Sequence, residues 1–252
     1  MSDIQEKTMP FTAHLAELRR CLIISFVAMG VGFMAAYAFS GEILEWLVQP
    51  LIRVLPPGNK LVYTALPEAF FIYLKVSLIT GIVLASPVIF YQLWMFIAPG
   101  LYQKEKRLVL PFVFISTALF VGGALFGYYV VFPVGFRFLV GFSTDNIKAL
   151  PSIQMYLTFC LKLLLGFGLV FEFPVVAFFL ARVGIINAQM MANNRRVAIL
   201  LIFIVAAIVT PPDIVSQILL AIPLYLLYEV SIILVRITVR KRERRKALEE
   251  QG

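Results

Sequence analysis

The sequence predicts an all-α integral membrane protein, a single domain of six kinked transmembrane helices in a concave bundle with both termini cytoplasmic. Composition is the first reason. Of the 252 residues 61% are hydrophobic and 14% are charged, against about 25% charged in soluble domains, and the mean hydropathy is +0.93. The second reason is a series of apolar runs close to the roughly 20 residues that a membrane span requires.

Six segments qualify as spans, at 21–40, 70–97, 108–134, 156–181, 196–210 and 213–235. The first follows basic residues in the manner of a signal peptide, but it is longer than the apolar core of such a peptide. We therefore read it as an uncleaved span. A short amphipathic piece from Glu42 to Val48 comes next, with Trp46 as an interfacial anchor. A basic cytoplasmic tail occupies 236–252.

The positive charges predict the orientation. Sixteen of the 22 Lys and Arg residues fall beside the N-terminus, the loops after spans two and four, and the C-terminus. Five fall on the other side, and Lys162 lies inside span four. The excess of positive charge marks the cytoplasmic side, and it also accounts for the basic isoelectric point without any nucleic acid.

Helix kinks are predicted from proline, which removes a backbone donor and bends a helix. Internal prolines occur in spans two, three, four and six, at Pro87, Pro111, Pro133, Pro174 and Pro223. Span five is unusually short. The turn after it, Thr210-Pro211-Pro212-Asp213, matches a capping box, which gives Asp213 a structural role.

Glu172 lies inside an otherwise apolar run, where a charge costs about 2.5–3.5 kcal/mol. It must therefore face protein, a wet cavity or a partner, and the alternative to a functional role is a buried hydrogen bond between helices. Lys162 is ten residues earlier, about 15 Å along the helix. We expect it to snorkel outward rather than pair with Glu172.

No catalytic or metal-binding constellation is apparent, because the chain has one histidine and two cysteines and lacks a glycine-rich phosphate loop. Enzyme activity and a cofactor are not expected. Two acids, Glu17 and Glu105, lie among basic residues on the cytoplasmic side. They either neutralise their helical neighbours or form an anionic pocket for a basic ligand.

Several motifs in this order carry a resemblance to a known family. They are His14-Leu15-x-Glu17-Leu18-Arg19, Ser86-Pro87 through Trp94, Phe96-Ile97-Ala98-Pro99-Gly100-Leu101, Val131-Phe132-Pro133, Phe171-Glu172-Phe173-Pro174, and Thr210-Pro211-Pro212-Asp213 with Gln217 and Ala221-Ile222-Pro223. The chain resembles, over essentially its whole length, the TatC family of multispanning receptor subunits of the twin-arginine protein translocase.

The resemblance implies a bacterial inner-membrane protein that binds twin-arginine signal peptides and helps to export folded proteins, driven by the proton-motive force. It implies single-span partner subunits of the TatA and TatB type, in homo- and hetero-oligomers. It assigns signal-peptide binding to Glu17, Glu105, Arg19 and Phe96, and intramembrane or partner contacts to Glu172, Pro50, Asp213 and Gln217. Lysines flank Glu105 on both sides, which weakens its field for a cationic ligand.

Two other functions remain open from the residues alone. A secondary transporter would use Glu172 as a proton relay, and it predicts symmetric repeats and paired broken helices; we find no convincing repeat. A structural membrane scaffold would tolerate the loss of all these acids.

Overall fold

The residues that the structure describes are almost entirely helical. The computed structural model describes residues 11–56, 61–63, 65–97, 109–141, 151–210 and 214–249. These residues form no strand, although an isolated bridge joins Val62 to Ser152. The all-α class is therefore confirmed. The helices are α1 (Phe11–Ala38), α2 (Ser40–Ile52), α3 (Leu66–Ile97), α4 (Val109–Phe126), α5 (Phe132–Val140), α6 (Ile153–Phe171), α7 (Phe173–Val183), α8 (Ala188–Asn193), α9 (Arg195–Val209) and α10 (Ile214–Glu249).

Five stretches are long and apolar enough to cross a bilayer, and each overlaps one of the predicted segments. They are His14–Ala38, Leu66–Ile97, Val109–Val140, Ile153–Val183 and Gln217–Thr238. The remaining predicted span forms α9, which has 15 residues and is therefore about 22 Å long, against about 30 Å of hydrocarbon. The sixth crossing stays a prediction.

The bundle has two sides, which we name by the elements found there. On the α2 side, α1 ends, α2 lies and α3 begins; on the N-terminal side, α1 begins and α3 ends. The largest buried cluster lies toward the α2 side and joins α2, α3, α5 and α6. Two smaller clusters lie around α7, α8 and α10, and around Trp94 between α3, α4 and α7.

Two junctions between consecutive helices, α4 to α5 and α6 to α7, occur next to prolines. Pro133 cannot donate to the Tyr129 carbonyl, and the helix passes through a five-residue π turn, Gly127–Val131, just before it. At the end of this turn the Phe132 N–H bonds to the Gly127 carbonyl, five residues back. Pro174 similarly lies in the first turn of α7, directly after the junction with α6 at Glu172. The predicted kinks in spans three and four therefore appear as breaks between separate helices.

The pairing of α1 with α3 depends on two glycines that the sequence analysis did not single out. A Cβ added at Gly32 would lie 2.5 Å from the Gly81 carbonyl oxygen, and one at Gly81 would lie 2.6 Å from the Phe33 nitrogen. The two backbones are therefore in direct contact. Small residues allow this close approach between membrane helices, where packing replaces the hydrophobic effect as the source of stability.

Candidate functional site

The first group of candidate residues lies on the N-terminal side, where α1 and α3 meet. The ring of His14 stacks on that of Phe96, with centroids 4.3 Å apart and an angle of 17° between the planes. Glu17 follows His14 by three residues and therefore lies on the same face of α1. Its side chain is half-buried and Arg19 is exposed.

This stack ties the start of α1 to the last turn of α3. The Glu17 side chain makes no hydrogen bond or ion pair with any other residue that the structure describes. None of those residues therefore blocks its carboxylate from a cationic ligand. Glu105 lies outside the described residues, in the segment that follows α3. The sequence alone gives His14 no role, because its ring contact with Phe96 depends on the tertiary pairing of two helices.

The second group surrounds Glu172, in the interior of the bundle. Glu172 is the junction residue between α6 and α7, and its side chain is 8% exposed. The indole N–H of Trp94 donates to the Ser116 hydroxyl at 3.2 Å, and the Glu172 carboxyl group lies beside that hydroxyl. A chain of buried polar groups therefore runs from α3 through α4 to the α6–α7 junction.

One carboxylate oxygen of Glu172 lacks a partner. Its Oε1 atom is buried and has no hydrogen-bond partner among the described residues. Glu172 therefore has a vacant acceptor, and both its structural and its functional role remain predictions. Ser116 was missed by the sequence analysis; the available signal was a hydroxyl inside the apolar helix α4, where it is fully buried.

Pro50 is buried inside α2 and leaves a backbone carbonyl of that helix without its usual donor. A residue at position 50 would normally donate its N–H to the carbonyl of Trp46, four residues earlier, and proline cannot. The Tyr128 hydroxyl donates to that carbonyl instead, at 2.5 Å. The Trp46 and Tyr128 rings stack at 3.8 Å, and the Tyr156 hydroxyl donates to the neighbouring Leu47 carbonyl at 2.8 Å.

The α9–α10 hairpin holds the remaining candidates. The Gln217 amide in α10 donates to the Phe203 carbonyl in α9 at 3.0 Å. The Thr210 hydroxyl donates to the Ala206 carbonyl at 2.8 Å, which is a contact back into α9. Asp213, and with it the predicted capping box, lies outside the described residues. Gln217 therefore joins the two helices of the hairpin to each other.

At the other end of the hairpin, Arg195 and Glu229 form a two-point ion pair, with N–O distances of 2.7 and 2.9 Å. The Tyr225 hydroxyl donates to the same carboxylate at 2.9 Å. Among the described residues no group of three or more His, Cys, Asp or Glu side chains could hold a metal ion. Most of the polar side chains described above thus join one helix to another. The acids Glu17 and Glu172 lie apart from each other, one on the N-terminal side and one in the interior of the bundle.

Comparison with known proteins finds one family over most of the chain. Residues 13–223 match the family described as TatC, Sec-independent protein translocase protein. The protein named "Sec-independent protein translocase protein TatC" from Desulforapulum autotrophicum is 53% identical to this chain over 243 residues, which cover 96% of this chain and 90% of the relative. The protein of that name from Aquifex aeolicus is 42% identical over 237 residues, covering 93% and 98%.

A solved structure, titled "Crystal Structure of Twin Arginine Translocase Receptor- TatC", superposes with a TM-score of 0.81 at 41% identity, covering 90% of this chain and 99% of that one. The same receptor crystallised in DDM gives a TM-score of 0.82 over 88% of this chain. Together with the helices that could span a bilayer, these matches show a multi-pass membrane protein that is a translocase component and not an enzyme. The chain belongs to the TatC family of Sec-independent protein translocase proteins.

Proposed function

We propose that this chain is the receptor subunit that binds twin-arginine signal peptides on its N-terminal side and helps to export folded proteins. In this proposal the N-terminal side faces the cytoplasm of a bacterial cell across its inner membrane, and the proton-motive force drives transport. The excess of Lys and Arg on that side supports the orientation.

The observation that carries the proposal is the stack of His14 on Phe96. It fixes Glu17 beside the end of α3, and the segment that carries Glu105 begins one residue later. Two carboxylates near this point would match two adjacent guanidinium groups of a signal peptide, because each planar guanidinium can bind a carboxylate through two parallel hydrogen bonds.

Two acids cannot supply the affinity alone. Exposed ion pairs contribute about 0–1 kcal/mol each, whereas micromolar binding requires about 8 kcal/mol. The apolar segment of the signal peptide must therefore bury against the bundle. A candidate surface runs along α1 from the Glu17 region, where Val27 and Val31 lie one turn apart and are 60% and 66% exposed.

The test is binding of a fluorescent twin-arginine peptide to the purified full-length protein. We expect Glu17→Gln and Glu105→Gln each to weaken binding by about fivefold, and a Lys-Lys peptide to bind worse than an Arg-Arg peptide. The matched control is Glu45→Gln, which removes an exposed acid from α2 at the opposite side and should bind as the wild type does. Unchanged binding by the double variant at positions 17 and 105 would refute the proposal.

We further propose that single-span partner subunits of the TatA and TatB type contact the intramembrane positions. The vacant Oε1 atom of Glu172 supports this, because a polar side chain on a partner helix could donate to it. Such contacts average about 0.6 kcal/mol within membranes, weak enough for reversible docking in a hetero-oligomer. Asp213 and Gln217 on the hairpin, and Pro50 through its placement of α2, would serve the same assembly.

A further inference from the structure

A cavity of about 550 Å³ opens on the α2 side of the bundle, next to Thr210 of the α9–α10 hairpin. This volume lies within the range of about 300–1,000 Å³ that is typical of small-molecule sites. Two lysines line it, Lys75 from α3 and Lys162 from α6. Lys162 is exposed, as the sequence predicted, but it faces a space that it shares with a second ammonium group.

The two lysines lie at the same depth. Lys75 follows the start of α3 at Leu66 by nine residues, and Lys162 follows the start of α6 at Ile153 by nine. At 1.5 Å per residue both are about 14 Å along helices that begin on the same side. Each belongs to a candidate membrane span, where a lysine costs about 2.5–3.5 kcal/mol. Two such charges facing one cavity require a counter-charge.

The residues that the structure describes supply little of that counter-charge at this depth. The Lys75 ammonium contacts the Thr158 hydroxyl at 3.4 Å, which uses one of its three donors. Lys162 is four residues after Thr158 and thus on the same face of α6, and it makes no hydrogen bond with another described residue. Glu68 also lines the cavity, but it is seven residues before Lys75, about 10 Å nearer the helix start. Lys75, Lys162 and Glu68 together carry a net charge of +1.

We propose that this cavity binds the headgroup of an anionic phospholipid, with its phosphate between Lys75 and Lys162. A phosphate offers several acceptor oxygens to ammonium donors that have no partner among the described residues. The rim includes Met155, Ile208 and Val209, and Met155 and Ile208 are 78% and 76% exposed. The acyl chains can therefore leave the cavity across apolar side chains. A lipid is favoured over an acidic side chain of a partner helix, because a lipid would use both the two ammonium groups and the exposed apolar rim.

The experiment uses the full-length protein in detergent, titrated with phosphatidylglycerol while its melting temperature is followed, since a ligand that binds only the folded state raises it. We expect saturable stabilisation by phosphatidylglycerol and little by phosphatidylcholine. Lys75→Gln and Lys162→Gln should each weaken the apparent affinity by about tenfold or more, the loss of one charged hydrogen bond, and Lys75→Arg with Lys162→Arg should retain it.

The matched control is the double variant Arg53→Gln with Arg137→Gln, which removes two exposed positive charges from the same side and should bind as the wild type does. Wild-type lipid binding by the double Gln variant of the two lysines would overturn the proposal. Equal stabilisation by phosphatidylcholine would overturn the requirement for an anionic lipid. Equal stabilisation by inorganic phosphate would assign the site to a free anion, and carbodiimide crosslinks from Lys162 to a translocase partner would assign it to a protein carboxylate.

Discussion

The hydroxyl of Tyr128 donates to the Trp46 carbonyl, which cannot receive the N–H of Pro50, so its removal should destabilise the docking of α2. In the Tyr128→Phe variant the aromatic stack can persist, but Pro50 has no N–H to take the place of the hydroxyl. A carbonyl left without a donor costs about 1–3 kcal/mol. For a chain of this size that corresponds to a fall of about 2–10 °C in melting temperature.

A second substitution tests the cause. Pro50→Ala restores an N–H that can bond to the Trp46 carbonyl within α2, and so it should recover most of the stability lost in Tyr128→Phe. The control is Tyr156→Phe, which removes the hydroxyl bonded to the Leu47 carbonyl. That carbonyl faces Leu51, which has an N–H at the normal helical spacing. We therefore expect a smaller loss, about 0.5–1.5 kcal/mol, which Pro50→Ala does not restore.

The assay is thermal unfolding of the purified variants in one detergent, followed by tryptophan fluorescence. The four proteins of the cycle (wild type, each single variant and the double variant) give the coupling between positions 50 and 128 directly. Additive effects of the two substitutions would show that the proline and the tyrosine act independently, and the account of Pro50 given above would then be wrong.

Three further predictions concern other parts of the bundle. Gly32→Ala should destabilise the protein by about 1–3 kcal/mol, because its Cβ meets the Gly81 backbone; Gly30→Ala, which meets nothing within 4 Å, is the control in the same unfolding assay. Glu172→Ala should bind signal peptide normally but lose crosslinks to partner helices and transport, while Glu172→Gln keeps most activity; full transport in the Ala variant would reduce Glu172 to a structural role. The shortness of α9 should thin the bilayer locally, so cysteines at 205–209 should react with aqueous reagents deeper than in a full-length span, and labelling that stops at the usual interface depth would contradict this.

The fold class could be predicted because apolar runs of span length leave few alternatives in a membrane. Helix ends were less predictable. The helix α1 begins at Phe11, ten residues before the predicted span, since the polar stretch around His14 and Glu17 is helical without being apolar. In the same way α10 continues through the basic residues to Glu249. Hydropathy marks where a chain can enter lipid and says little about where its helix starts.

The contacts that join helices could not be read from the sequence. Gly32 contacts Gly81, Tyr128 contacts Trp46, and Trp94 contacts Ser116, each pair far apart in sequence. The periodicity of apolar residues along one helix does not indicate which residues of another helix it will contact. Glu172 was found because a lone acid is conspicuous among apolar residues, whereas its neighbour Ser116 is one of several small hydroxyls. The roles given to the candidate residues by resemblance remain predictions.

The π turn has a consequence for changes in chain length. Each residue added to an α-helix rotates everything beyond it by about 100°, which would turn the buried faces of α4 and α5 away from each other. The turn at Gly127–Val131 absorbs one extra residue, because its hydrogen bond spans five residues instead of four. Deleting one residue there would restore ordinary helical spacing and leave Phe120 and Phe136 facing their present neighbours. A deletion within the uninterrupted helix α3 would instead misalign half of its contacts.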